Sequence, residues 1–141
     1  MEFRNWLEGI ESNDIYHYSP VDSDEMIVDP KFFGKNAFSR NERKIPIKRS
    51  FFYLNPKESE SFFTNEPHYK AIIDKNKIYN LSEDPLNYKE EIMKSNNGAL
   101  DVSELLDKIH KNENYIGVFY RIHGTIGIVS LFVPVHAKRV R

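Results

Sequence analysis

The sequence predicts an α+β fold, on three observations. Short runs rich in Val, Ile, Tyr and Phe, bounded by Pro, Asn and Gly, occupy residues 15–19, 50–54, 69–81 and 117–133, and such runs form strands. Between Pro85 and His110 the apolar spacing changes to three and four, the period of helices. The resulting order is helix, strand, long loop, strands, helices, strands, which is not the regular alternation of a parallel α/β sheet.

Phe3, Trp6, Leu7 and Ile10 give a short amphipathic helix over residues 3–11, ended at Asn13-Asp14. Ile15 to Ser19 is a strand closed by Pro20. Residues 20–50 hold three Pro, one Gly and many charges without periodicity, and a loop of that length in a compact domain is usually functional. Ser50 to Leu54 is a second strand, ended by Asn55-Pro56. Tyr69 to Ile73 and Lys77 to Leu81 are extended segments meeting at Asp74-Lys75-Asn76. Tyr88, Ile92 and Met93 fit one helix, stopped by Asn96-Asn97-Gly98. Val102, Leu105, Leu106 and Ile109 form the apolar stripe of another over residues 101–111, with Asp101 as N-cap and Glu104 completing a capping box. Gly117 to Tyr120 and Ile126 to Val133 flank a hairpin turn at Arg121 to Thr125.

The 141 residues are one domain's worth, and no linker or repeat divides residues 1–141. Aromatic residues make up 13%, too many for a disordered chain. Lys and Arg number 20 against 21 Asp and Glu, so nothing in the net charge attracts nucleic acid or anionic lipid, and nucleic acid is not expected as a direct partner. The absence of Cys excludes disulfides, thiolate zinc sites and a cysteine nucleophile. With no apolar run near the ~20 residues of a membrane span and an acidic N-terminus unlike a signal peptide, the expectation is a cytoplasmic protein without membrane contact.

Common chemical motifs are missing. The five histidines are scattered without the paired spacing of a zinc helix. There is no G-x-G-x-x-G, Walker sequence or G-x-S-x-G. Asp22, Asp24, Glu25 and Asp29 lack EF-hand spacing and its central Gly, and read as a solvated loop. Arg40, Arg43, Lys44, Lys48 and Arg49 form a basic run that gains meaning only beside a phosphate-bearing ligand.

Six short segments in order rise above this background. They are His17-Tyr18-Ser19; Met26 to Asn36 with Asp29-Pro30-Lys31-Phe32-Phe33-Gly34; Arg49-Ser50-Phe51-Phe52-Tyr53; Tyr79-Asn80-Leu81-Ser82-Glu83-Asp84-Pro85; Tyr115-Ile116-Gly117-Val118; and Phe132-Val133-Pro134-Val135. Together they resemble ADP-ribosyltransferase domains of the phage and mobile-element polyvalent-protein type, over about residues 15–140. The resemblance implies a split two-sheet core with helices outside and NAD held between the sheets. It implies that His17 hydrogen-bonds the adenosine ribose, an imidazole offering both a donor and an acceptor on a rigid ring. Ser19, Ser50 and Tyr53 would line the cofactor site, with the Tyr53 ring on the nicotinamide side and in the catalytic set. Gly34 would allow close backbone approach, and Arg40 or Arg49 would pair with the pyrophosphate through a planar fork. His17 and Tyr53 are then expected beside one shared cleft, reached by the loop from Asp22 to Lys48.

The pattern departs from the family in one respect. Active relatives place an acid on or beside a late strand, where it steadies positive charge developing on the ribose. Residues 117–133 contain no Asp or Glu; Glu113 is the nearest, ahead of Glu58 and Glu60. Either the acid has moved, or another polar residue replaces it, or transfer is lost. The expected function is a mono-ADP-ribosyltransferase that uses NAD to modify a host or defence macromolecule, after the manner of a phage-encoded anti-CRISPR inhibitor. The alternative is an inactive protein of the same fold that inhibits its partner by binding.

Overall fold

The computed structural model describes residues 13–32, 47–54, 66–122, 124 and 126–141. The helix expected over residues 3–11, residues 33–46 of the expected long loop with Gly34 and Arg40, and Glu58 and Glu60 lie outside the described residues; the described part of residues 20–50 carries a short strand at Glu25–Val28.

The described chain is mixed α+β. Eight strands follow in order: β1 (Asp14–Tyr18), β2 (Glu25–Val28), β3 (Ser50–Tyr53), β4 (His68–Ile72), β5 (Ile78–Asn80), β6 (Gly117–Ile122), β7 (Ile126–Leu131) and β8 (Val135–Arg139). Helices α1 (Tyr88–Ser95) and α2 (Val102–Lys111) stand between β5 and β6. All eight strands join one sheet in the order β2-β8-β4-β1-β3-β7-β6-β5. Only β5 and β6 are parallel, as the helical crossover between them requires. A core split into two sheets was expected; the structure has a single mixed sheet, and its thinnest joint is central. Strand β1 pairs with β4 at all five of its residues but with β3 only through Tyr16 and Tyr53.

Alternation along the strands divides the core between two faces. Ile15, Phe52, Tyr69, Ala71, Phe119, Val129, Leu131 and Ala137 belong to one cluster. Tyr18, Phe51, Tyr53, Ile126 and Ile128 form a second, and Tyr79 and Val118 join Ile92, Leu105, Leu106 and Ile109 of the helices in a third. Strands β3 and β7 are covered on both sides and are buried at every position, which is why they read as continuous apolar runs.

Helix α2 starts where its cap predicts, with Asp101 accepting from the Glu104 amide at 3.1 Å. Its stripe is shorter than its spacing implies: Leu105, Leu106 and Ile109 are buried, whereas Val102 at the first helical position is 46% exposed. Spacing identifies the face, but only the packed sheet decides how far along the helix that face is covered. In α1, Ile92 is buried and Met93 exposed.

The Tyr79-Asn80-Leu81-Ser82-Glu83-Asp84-Pro85 segment builds the start of α1. The Tyr79 hydroxyl donates to Asp84 Oδ1 at 2.5 Å and accepts from the Leu86 amide at 3.1 Å. Asp84 Oδ2 accepts from the Lys89 amide at 3.0 Å, satisfying a first-turn donor that Asn87, with φ 57° and no side-chain cap bond, leaves open. Asn80 Oδ1 accepts from the Ser82 and Glu83 amides at 2.9 and 3.3 Å.

Candidate functional site at the β1–β3 seam

The ladder between β1 and β3 is the single pair Tyr16–Tyr53. Counting on from that pair in antiparallel register sets His17 across from Phe52 and Ser19 across from Ser50, with no ladder pair at either place. A side chain takes over the missing contact: His17 Nδ1–H donates to the Phe51 carbonyl at 2.8 Å. The His17 and Phe52 rings lie 5.3 Å apart, tilted at 48°. Donation from Nδ1 makes Nε2 the lone-pair acceptor of a neutral imidazole. Among the described residues this is the ring's only hydrogen bond.

Burial holds the His17 pKa below its ordinary value, and the bond to Phe51 opposes that shift only in part. A depressed pKa means the unfolded chain takes up a proton first as the pH falls. The stability gained from neutral His17 is therefore present above about pH 6.5 and lost below it, at up to about 1.4 kcal/mol per pH unit. Urea midpoints measured at pH 7.5 and 5.5 should show this loss in the wild type, and His17→Asn should reduce it.

The polar residues around His17 are unusually well buried. Among the described residues six polar or charged ones are buried: His17, Ser19, Arg49, Ser50, Asn80 and Ser130. Four of the six flank this seam, so polar burial concentrates where the backbone pairing stops. Ser19 donates its amide to the Pro67 carbonyl at 3.1 Å, and its Oγ accepts from the Val21 amide at 3.2 Å. Arg49 Nε donates to the Ile47 carbonyl at 3.2 Å, and its guanidinium lies 5.3 Å from the Phe51 ring centre.

Strand alternation sorts these residues onto two faces. His17 and Ser19 share one face with Phe52 and Ser50. Tyr53 shares the other with Phe51 and Tyr18, its ring 5.9 Å from that of Tyr18 and edge-on. Arg49 falls on the Tyr53 side. The shared cleft expected for His17 and Tyr53 is thus corrected: the two strands are neighbours, but Tyr16 occupies the position opposite Tyr53, and the next residue must point the other way. Tyr53 is 4% exposed, and burial raises the pKa of its hydroxyl, so it is a neutral phenol packed in the core.

Glu113 is exposed in the turn between α2 and β6. Glu113 leads into β6, which stands three strands from β1, about 14 Å across the sheet.

Two features escaped the sequence pattern. The acidic stretch is tied to β8 and the residues just after it: Asp22 pairs with Arg139 at 3.2 Å, Asp24 with Arg141 at 2.8 Å and Glu25 with His136 at 3.2 Å. Its opposite charge to the chain's basic C-terminus was the available signal. Ser130 lies fully buried on the Tyr53 face, and its hydroxyl has no hydrogen-bond partner among the described residues. A serine inside an apolar strand gives no hint of that.

Compared with protein-family models, with curated proteins and with solved structures, the chain shows no match.

Proposed function

We propose that this chain is an NAD-dependent mono-ADP-ribosyltransferase that acts on a host or defence macromolecule and takes NAD at the β1–β3 seam. The observation that carries this reading is the set of buried polar side chains beside a stretch of sheet without backbone pairing. His17, Ser19 and Arg49 are each bonded to backbone groups, as buried polar side chains must be, and the group this leaves over for a ligand is His17 Nε2, which has no partner among the described residues. The thin joint supports the reading too: halves β2-β8-β4-β1 and β3-β7-β6-β5 share one Cα pair, the arrangement a split core would have.

On the His17 face the chemistry fits a ribose. Nε2 accepts from a sugar hydroxyl, while the Ser19 and Ser50 hydroxyls lie on the same side of the seam. NAD, when bound, supplies the ADP-ribosyl group through cleavage of its bond to nicotinamide. Tyr53 and Arg49 support the seam from the opposite face in this reading, and pyrophosphate contact passes to Arg40. Gly34 keeps the role the family resemblance implies.

The positions of Tyr53 and Glu113 favour a second reading. With Tyr53 on the opposite face and Glu113 leading into a strand three away from β1, the chain would keep the fold and inhibit its partner by binding without transfer. Calorimetry with NAD, followed by labelled NAD in a host lysate read by mass spectrometry, separates the two. The transferase reading expects binding and labelling, and His17→Ala weakens NAD affinity about 2- to 12-fold, the equivalent of one neutral hydrogen bond. Labelling should fall in Glu113→Gln with little change in affinity if Glu113 is the acid. Little or no binding heat, with the partner still inhibited, supports the second reading and overturns the NAD site.

A further inference from the structure

We propose that residues 19–24 form a salt-sensitive strap, latched to β4 and β8, that opens while the sheet stays folded. The strap runs from β1 to β2, which are separated in the sheet by β4 and β8, so it passes the ends of both strands. Residues 20–24 are all exposed and bury almost nothing of their own. Contacts to the neighbouring strands hold the strap instead. The Tyr69 ring is wholly buried, and its hydroxyl reaches out of the core to donate to the Val21 carbonyl and to accept from the Ser23 amide at 3.0 Å. The Arg139 amide donates to the Asp24 carbonyl at 2.8 Å. The ion pairs Asp22–Arg139 and Asp24–Arg141 complete the latch.

These contacts differ in kind. The Tyr69 anchor is fixed by the core. The Asp22 and Asp24 carboxylates are 67% and 92% exposed, so salt screens their pairs readily. A segment with few apolar contacts and exposed polar ones opens at low cost, well below global unfolding. Opening also matters to the seam: the Ser19 hydroxyl is held by the Val21 amide, the first bond inside the strap, and release frees it. The strap motion stands whatever the seam binds, and only its control of Ser19 rests on the proposed NAD site.

Amide hydrogen exchange on the full chain, at one pH and at 20 mM and 500 mM NaCl by design, tests the strap. The Ser23 amide should exchange about threefold or more faster at high salt as screening shortens the range of the pairs. The Phe119 and Val129 amides of the central sheet should not change. Arg139→Gln combined with Arg141→Gln should remove the salt response, and Tyr69→Phe should speed Ser23 exchange at both salt levels. A salt-independent Ser23 amide overturns the strap, as does a response shared with the core amides or retained in the double variant. Calorimetry with NAD on the same sample keeps the two ideas apart: a salt-responsive strap without NAD binding leaves the strap and removes the seam reading.

Discussion

Leu106→Ala is expected to lower the unfolding free energy by about 2–5 kcal/mol. Leu106 is 2% exposed and sits with Leu105, Ile109, Tyr79 and Val118 in the cluster that joins α2 to the sheet. Truncation removes the transfer free energy of the lost carbons and leaves a cavity between α2 and the sheet. Val102→Ala serves as the control on the same stripe, because Val102 is already 46% exposed and its loss should be small. Denaturant midpoints of the two variants check the contrast. A Leu106→Ala loss below about half a kcal/mol, the ordinary range for surface positions, would mean that this face of α2 meets water.

Gly117→Ala should cost about 3 kcal/mol or more, at or beyond the upper end of ordinary overpacking. A Cβ at this position would stand 2.3 Å from the Ser130 carbonyl oxygen and 3.2 Å from the Leu131 Cα, both backbone atoms. Relief therefore requires parting β6 from β7, which pair along six residues. Gly98→Ala makes an instructive comparison. No atom lies within 4 Å of its Cβ, and its cost comes from a φ of 86° alone. Thermal or urea unfolding should rank Gly117→Ala as the more damaging. If Gly117→Ala matched Gly98→Ala, the close approach of β6 and β7 would be refuted.

Parts of this molecule were legible from local chemistry. Asp101 and Glu104 mark the start of α2 because a cap depends on residues three apart, and the spacing of Leu105, Leu106 and Ile109 marks its buried face for the same reason. The strands at Ser50–Tyr53 and Ile126–Leu131 were visible as apolar runs because burial on both faces demands them. Among the site residues, His17, Ser19, Arg49 and Ser50 were named from sequence, and the structure finds all four buried at one seam.

The rest depends on pairing between distant segments, which no local pattern encodes. Tyr53 looks like a partner of His17 until the register sets Tyr16 opposite it; a shift of one residue would have reversed the faces. The acidic residues from Asp22 to Glu25 read as a solvated loop because Arg139 and Arg141, which bind two of them, follow 117 residues later. The sequence by itself determined the α+β class, the helix start at Asp101 and the polar character of the seam, since each rests on residues a few positions apart. Tertiary structure alone decided that eight strands make one sheet, that His17 and Tyr53 face opposite ways, and that Gly117 admits no side chain, because strand order, register and backbone approach exist only once remote strands pair.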